Sequence, residues 1–348
     1  MTGVQTCALP ISLLLILEYL LIILPVLIGV AYMTLVEREI LGSIQRRKGP
    51  NVVGPSGILQ PLTDGLKLML KEIILPTNVN TFLFILAPVI TFIGTMMYWA
   101  VLPLSKGITY TDFNVGVLFF YAISSLAIYG IIISGWASNT KYPFMGSIRS
   151  AAQMVSYELS IGAVFAVIFL CTGSLNFTKI VLAQKYIWFC IPLFPLFVIF
   201  LIALLAECNR HPFDLPEAEG ELVSGFNTEY SAMGFALFFI GEYGNIIVMS
   251  TTISILFFGG WLPLFGLTCI PGAIWLCLKI FLFISLYVII RGAYVRFRYD
   301  QLMRIGWKSL LPLCFGWFIF IAGILVSCNT LPKRSEERRV GKECRSRW

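Results

Sequence analysis

Histidine is almost absent from this sequence, with His211 the single example in 348 residues. A bis-histidine haem needs two such ligands, so this chain alone cannot hold one. The sequence also lacks a Walker loop, a dinucleotide-binding fingerprint and an HExxH motif, and none of its nine cysteines forms a CxxC pair. These absences predict that the chain binds no metal or cofactor by itself, and that any redox centre belongs to a partner.

Charge is also scarce, at 12% of residues against 58% hydrophobic residues and a mean hydropathy of +0.86. Apolar runs of about twenty residues recur, which is the length that an α-helix needs to cross a bilayer. We therefore predict an all-α polytopic membrane protein, a bundle of about eight transmembrane helices. The expected spans are 13–36, 80–103, 115–135, 151–173, 186–206, 230–258, 272–293 and 309–331.

The two ends do not fit this pattern. Residues 1–12 and 334–348 resemble translated sequencing adapters, so we interpret them as assembly artefacts around a single membrane domain at 13–333. A real disordered basic tail is the alternative. Residues 334–348 hold six basic and three acidic residues, so their removal changes the net charge from +7 to +4. The basic balance therefore gives no reason to expect nucleic acid as a partner.

Lysine and arginine are concentrated in the first, third, fifth and seventh connections between spans, whereas the second and fourth hold only Lys106, Lys179 and Lys185. Positively charged connections stay on the cytoplasmic or matrix side of a membrane. The odd-numbered connections are therefore predicted to face inward.

The first connection contains a helical pattern of its own. Leu66, Met69, Leu70, Ile73 and Ile74 recur at helical spacing among polar residues. This predicts an amphipathic helix at the membrane interface or against the bundle, with a plain membrane-associated connector as the alternative.

Three glutamates lie within or at the end of predicted spans: Glu158, Glu207 and Glu242. An ionisable residue in a span costs several kcal/mol and is a functional candidate by default. A set of buried carboxyls with raised pKa values can hold and pass protons near neutral pH. The alternative is an interfacial glutamate with a hydrogen-bond partner. Glu18 and Lys279 could pair with each other or reach the membrane surface.

The connection after the fifth predicted span is unusually acidic. Pro216 suits the first position of a helix, which would place Glu217, Glu219 and Glu221 in its first turns. Arg210 is the strong cation nearby, and it would reach Asp214 if the intervening turn folds back. An ordinary solvated acidic loop is the alternative.

Four stretches carry a specific resemblance. They are EREILGSIQRRKGPNVVGPSGILQPLTDGLKLMLKE, YPFMGSIRSAAQMVSYELS, AECNRHPFDLPEAEGELVSGFNTEYSAMGFALFFIGEY and GAYVRFRYDQLMRIGWK. Together they resemble the first membrane subunit of respiratory complex I, the proton-pumping NADH:quinone oxidoreductase family. The likeness covers essentially residues 13–333.

The resemblance implies a subunit that forms much of a quinone tunnel and begins an acidic path into the membrane arm. By position, the path residues are Glu207, Glu158, Glu242 and Asp64, and the acidic loop near the quinone cavity holds Asp214, Glu217, Glu219 and Glu221. Tunnel or loop-ordering residues are Arg38, Arg47, Arg149, Arg210, Phe213 and Phe226. For the two phenylalanines, plain aromatic packing is an equal alternative.

The resemblance further implies ubiquinone as substrate, with iron–sulfur clusters and FMN held by partner subunits. Expected partners are the peripheral-arm subunits of the quinone site, small membrane-arm subunits and the lipid bilayer. The implied location is the mitochondrial inner membrane, with a bacterial cell membrane as the alternative. Competing interpretations are the membrane subunit of an energy-converting hydrogenase, a proton-coupled secondary transporter, and a passive anchor for redox subunits.

Overall fold

The computed structural model describes residues 2–215, 223–263 and 270–328, with side chains from Leu17 onward. Helices account for all the regular structure in these ranges. In chain order they are α1 Thr2–Ile44, α2 Gln60–Leu70, α3 Thr81–Met97, α4 Gly116–Ala137, α5 Lys141–Thr172, α6 Phe177–Ala183, α7 Phe194–Glu207, α8 Ala232–Phe257, α9 Gly272–Ala293 and α10 Tyr299–Ser327. Short 3-10 turns lie at Pro55–Gly57, Tyr98–Ala100 and Gly225–Asn227, and a π turn at Ile305–Leu310 interrupts α10.

Seven of the helices in the described ranges are long and apolar enough to cross a membrane. They correspond to seven of the eight predicted spans, so the prediction of an all-α polytopic membrane bundle is confirmed. The eighth, α7, is the shorter apolar helix Phe194–Glu207, where a span was expected over 186–206. Pro192 and Pro195 stand at its start, and because proline has no N–H donor the helix does not extend further back.

Several predicted spans were too short at charged residues. The first was expected to end at residue 36, but α1 continues through Glu37 to Ile44. The fourth was expected from residue 151, but α5 already begins at Lys141. Glu37 is only 5% exposed, because partners from other helices surround its carboxylate. A charged residue with such partners does not end a helix, which is why the sequence boundaries were wrong there.

The amphipathic helix exists over a shorter length than the apolar pattern suggested. It ends at Leu70, and the backbone of Lys71 is extended, with ψ 141°. Ile73 and Ile74 therefore lie beyond the helix, where the N–H of Ile74 donates to the Ser231 hydroxyl at 2.9 Å. This bond ties the first connection to the start of α8.

The core is centred on α8, whose residues from Tyr243 to Phe257 are almost all buried. Around it, the largest fully buried side chains include Phe120, Tyr157, Phe177, Phe200 and Phe283, contributed by α4, α5, α6, α7 and α9. Lipid tails are as apolar as these side chains, so close packing and polar contacts, more than the hydrophobic effect, hold such helices together.

Lys279 supplies one of these polar contacts. Its ammonium donates to the carbonyls of Phe258, Gly260 and Leu262 at 2.8, 2.7 and 2.7 Å. It therefore caps the carboxyl end of α8 instead of pairing with Glu18 or reaching the surface, as the sequence suggested. Glu18 itself is exposed on α1.

Candidate functional site

One buried carboxylate, Glu37 on α1, collects contacts from three other parts of the chain. The hydroxyl of Tyr243 on α8 donates to its Oε2 at 2.6 Å. Arg210, which follows α7, approaches Oε1 at 3.4 Å, and Arg291 near the end of α9 contacts the same oxygen. With Glu242 these residues form the charge cluster: Glu37, Arg210, Glu242, Tyr243 and Arg291.

Arg210 is the centre of the charge cluster. Its Nε lies 3.1 Å from Glu242 Oε1, an ion-pair contact and not an aligned hydrogen bond, and its Cζ lies 4.2 Å from the Tyr243 ring centroid. Burial opposes the charged form, but Glu242, Tyr243 and Glu37 raise the pKa of Arg210 above its ordinary value. The guanidinium therefore stays charged, and removing one partner from such a buried network costs about 3–5 kcal/mol.

The contact between Asp214 and Arg210, expected only if the intervening turn folds back, is not among the contacts of the described residues, and Asp214 has another partner. Its Oδ2 accepts a hydrogen bond from Arg296 Nη2 at 3.1 Å, in the connection between α9 and α10. In the same place the N–H of Phe297 donates to the Pro212 carbonyl at 3.2 Å, and the Phe213 and Phe297 rings stack with centroids 5.6 Å apart. We call these five residues the loop latch, since they join the base of the acidic loop to the connection between α9 and α10.

The loop latch is also held from beneath. The Gln153 side-chain amide on α5 donates to the carbonyls of Ala206 and Phe213, both at 2.8 Å. Phe213 thus packs between Gln153 and Phe297, while its predicted role toward the quinone stays a prediction. His211 lies beside the latch, and burial, followed by the positive charge of Arg296, lowers its pKa.

Glu207 is the last residue of α7, and it is 2% exposed. It lines a partly enclosed cavity together with Glu242, Asn245, Thr95 and Phe226. The space that a water-sized sphere can enter there is about 70 Å³. One water needs about 10–15 Å³ in this measure, so there is room for about five waters. Small-molecule sites measure about 300 Å³ or more, so the cavity does not fit a quinone ring.

The polar atoms of the cavity favour water as its content. Glu207 Oε2, Asn209 Oδ1 and Asn245 Oδ1 are buried acceptors without a donor among the described residues. Buried acceptors are nearly always satisfied, and ordered water is the donor that a polar cavity of this size provides. Glu207 and Glu242 therefore face a common space suited to a short water chain.

Phe226 reaches this cavity because two backbones approach closely. A Cβ on Gly146 of α5 would lie 2.9 Å from the Cα of Gly225, so neither helix nor turn leaves room for a larger residue at 146. Gly225 itself has φ 56°. The resulting turn places the Phe226 ring against Phe238, with centroids 5.3 Å apart.

Glu158 lies on α5 and is bound differently. The hydroxyls of Ser124 and Ser125 on α4 donate to its Oε1 at 2.9 and 2.6 Å. Glu158 and Glu207 lie within electrostatic range of each other, and the Tyr98 side chain lies within range of both carboxyl groups. Glu242 and Glu207 thus line one cavity, and Glu158 and Tyr98 are electrostatic neighbours of Glu207. We call Glu242, Glu207 and Glu158 the glutamate row.

The remaining predicted residues lie apart from this row. Asp64 on α2 accepts from Arg38 Nη1 at 3.0 Å in a largely exposed pair. Arg47 is exposed and donates to Gln45 at 2.7 Å, and Arg149 lies over the Tyr299 ring at 5.9 Å. Glu217, Glu219 and Glu221 lie outside the described residues.

Three members of the charge cluster were missed by sequence reasoning: Glu37, Tyr243 and Arg291. Glu37 carries a usable signal, because it follows the buried residues Val30 and Met33 at seven and four positions, on the same helical face. The predicted end of the first span at residue 36 concealed it. For Tyr243 and Arg291, no sequence pattern distinguishes them from ordinary interfacial residues.

Known proteins match nearly the whole membrane domain. A family model described as NADH dehydrogenase matches residues 17–322. "NADH-ubiquinone oxidoreductase chain 1" of Chondrus crispus is 59% identical over 321 residues, 91% of this chain and 98% of the relative. The protein of the same description in Arabidopsis thaliana is 55% identical over 318 residues, 90% and 98% of the two chains. An NADH-quinone oxidoreductase subunit of Paramagnetospirillum magneticum is 54% identical over 324 residues, 92% and 95%.

Proposed function

This chain belongs to the NADH dehydrogenase family, and from that premise we propose that it couples quinone reduction to proton transfer through the row Glu242, Glu207 and Glu158. It is a multi-pass inner-membrane subunit of an NADH:quinone oxidoreductase, as its helices and its relatives agree. The relatives' names also favour this assignment over an energy-converting hydrogenase. The coupling role is our proposal.

The observation that carries the proposal is the small cavity, with room for about five waters, between two intramembrane carboxylates. Glu207 Oε2 has no donor among the described residues, and Glu242 on the other side is held by Arg210. A carboxyl that can be neutral in a low dielectric, beside water, can accept and release a proton without leaving the membrane. Glu158 with its two serine donors is then the next acceptor along the row.

Quinone binding belongs to the inward side of the chain in this proposal. The cavity beside Glu207 is too small for a quinone. The quinone is therefore bound in a separate cavity, formed by the inward connections together with partner subunits. Arg47 and the acidic loop lie in those connections, and Arg38 and Arg149 lie near the adjoining helix ends, on α1 and α5. Two-electron reduction of the quinone consumes two protons, and partner subunits with iron–sulfur clusters and FMN supply the electrons.

The charge cluster connects the quinone-binding side of the chain with the glutamate row. Negative charge that develops on the reduced quinone attracts the buried guanidinium of Arg210, which lies between Glu37 and Glu242. A weaker hold on Glu242 favours its protonation, with the proton then passing through the cavity to Glu207. The loop latch moves with Arg210 because only three residues separate Arg210 from Asp214.

Replacement of Glu207 by glutamine tests the proposal in the assembled complex. We expect both quinone reductase activity and proton pumping to fall at least tenfold, while NADH oxidation by an artificial acceptor at the partner subunits is unchanged. Glu18→Gln is the matched control, since it neutralises an exposed glutamate on α1. Normal pumping by a fully assembled Glu207→Gln complex would refute the coupling role.

Two other functions give different outcomes. A secondary transporter predicts proton-coupled solute uptake by the isolated chain in vesicles. A passive anchor predicts that changes in the loop latch leave quinone binding intact. A quinone photolabel that maps to this chain within the assembled enzyme would argue against both.

A further inference from the structure

A second cavity lies apart from the glutamate row, where the start of α3, the end of α4 and the start of α5 meet. Water-sized spheres can enter about 430 Å³ of it, against about 70 Å³ beside Glu207. That volume is in the range of about 300–1,000 Å³ that small-molecule sites occupy. Its lining includes Asn80, Trp136, Thr140, Lys141 and Phe144.

The polar part of this cavity suits an anion. The lining holds Lys141 and no carboxylate, and Lys141 has no ion pair among the described residues. The Asn80 side chain does not cap α3, and the Thr140 hydroxyl is buried without a partner in the same part of the chain. An ammonium, an amide and a hydroxyl therefore remain as donors to one ligand.

The negative end of α4 does not compete for these donors. The Ala137 carbonyl accepts from the Asn80 backbone N–H at 3.3 Å, and the Trp136 carbonyl accepts from that of Asn139 at 3.4 Å. The Asn139 side chain is also engaged, since it donates to the Asn78 carbonyl at 3.2 Å. The open donors are left to something outside the chain.

The other wall of the cavity is aromatic. The Trp136 and Phe144 rings lie with centroids 6.5 Å apart, and Trp136 is 68% exposed. Exposed tryptophan and tyrosine side chains at helix ends mark the level of the lipid headgroups, and Tyr142 is exposed in the next turn. The cavity therefore opens at the boundary between headgroups and acyl chains.

We propose that this cavity binds the headgroup of an anionic phospholipid from the inward-facing leaflet. Phosphate meets Lys141, Asn80 and Thr140, and the upper acyl chain lies along Trp136 and Phe144. Basic pockets between transmembrane helices on the inward side recognise lipids in this way. The three helix ends belong to connections with the inward charge bias, which places the site in the anionic leaflet.

The test uses the assembled complex in phosphatidylcholine nanodiscs with a small fraction of photoactivatable phosphatidylglycerol. After irradiation, mass spectrometry measures labelling of residues 136–144. We expect about tenfold more labelling than with a phosphatidylcholine probe that carries the same acyl chain. Lys141→Glu should lose about tenfold of it, equivalent to about 1.4 kcal/mol, and Lys141→Arg should retain it.

Lys185→Glu is the matched control, because it makes the same charge change at an exposed lysine after α6 that does not line the cavity. If Lys141→Glu does not assemble on a native gel, Asn80→Ala replaces it and should weaken the labelling in the same direction. Equal labelling by the two lipids would mean an ordinary boundary lipid. Loss of labelling to millimolar inorganic phosphate would mean a free-anion site, and no labelling would mean a protein cover. Each of these three results overturns the proposal.

Discussion

The Tyr243 hydroxyl donates to Glu37 at 2.6 Å, and this bond joins α8 to α1. The same ring lies 4.2 Å from the Arg210 guanidinium carbon, so one tyrosine contacts the negative and the positive member of the charge cluster. The cluster therefore behaves as a unit, and a change at any member alters how Arg210 is shared between Glu37 and Glu242.

Glu37→Gln should disable the charge cluster. The amide keeps the shape of the side chain but leaves Arg210 and Arg291 without a shared carboxylate. Breaking a buried ion pair costs about 3–5 kcal/mol, so we expect quinone reductase activity to fall at least tenfold, with some loss of assembled complex. The NADH:quinone rate, normalised to the amount of assembled complex, measures this fall, and the NADH:ferricyanide rate reports on the partner subunits alone.

Glu39→Gln controls for this change, because Glu39 stands two residues later on the same helix and is exposed. It should leave both rates unchanged. Equal quinone reductase rates in Glu37→Gln and Glu39→Gln would show that the cluster does not serve the reaction.

Tyr243→Phe should separate the contribution of the Tyr243 hydrogen bond from that of its ring. The phenyl ring still lies beside Arg210, but Glu37 loses the hydrogen bond from the Tyr243 hydroxyl. Hydrogen bonds to charged groups contribute about 1.5–3 kcal/mol, so a loss of roughly tenfold in quinone reductase activity is expected. A double-mutant cycle with Glu37→Gln should show coupling of the same size, because the two residues share one bond.

Tyr287→Phe is the corresponding control on α9, since the Tyr287 hydroxyl is buried without a partner among the described residues. Removing it deletes no hydrogen bond and should leave activity and assembly intact. If both tyrosine variants behave alike, the Tyr243 hydroxyl has no special role.

The sequence predicted the fold and the intramembrane glutamates more accurately than it predicted their partners. Apolar runs record burial in lipid directly, so the span 272–293 coincides with α9. A charged residue, by contrast, can end a helix or lie buried within it. The choice depends on side chains far away in sequence, as with Arg291, which is 254 positions from Glu37. For this reason α1 was predicted to end before the residue that matters most.

The same limit explains why the partner of Asp214 was not found from the sequence. Proximity in sequence favoured Arg210, but Glu37 and Glu242 engage that guanidinium from helices that no local pattern connects. Asp214 instead meets Arg296, which arrives from another connection. Local residue spacing is enough to predict helices. Ion pairs between different connections can be identified only from the tertiary structure.

The double variant Ser124→Ala, Ser125→Ala should remove the serine hydrogen bonds of Glu158 and so test its role. Both hydroxyls donate to Glu158 Oε1, at 2.9 and 2.6 Å, and alanine removes both donors with little change in volume. We expect the number of protons pumped per electron to fall by about half or more, with a smaller effect on quinone reduction. Proton uptake by proteoliposomes during a fixed number of turnovers measures this ratio.

Ser134→Ala is the matched control, because Ser134 is a buried serine on α4 that donates to the Ile131 carbonyl of its own helix and has no hydrogen bond to Glu158. It should pump normally. An unchanged ratio in the double variant would remove Glu158 from the proposed row.

The loop latch should loosen as pH falls, through His211. Burial, and then Arg296 and Arg291, lower the pKa of His211, whereas Asp214 opposes them. The folded latch therefore binds a proton less readily than the open loop does. Its stabilisation is complete above the ordinary histidine pKa of about 6.5 and is lost as pH falls from there through the lowered value.

Amide hydrogen exchange at Phe213, Asp214 and Leu215, corrected for the intrinsic effect of pH, measures this opening between pH 8 and 5. His211→Gln should make opening independent of pH. Arg296→Gln should increase it at every pH, because the Asp214 contact at 3.1 Å is gone. If His211→Gln keeps the wild-type pH dependence, another group controls the latch.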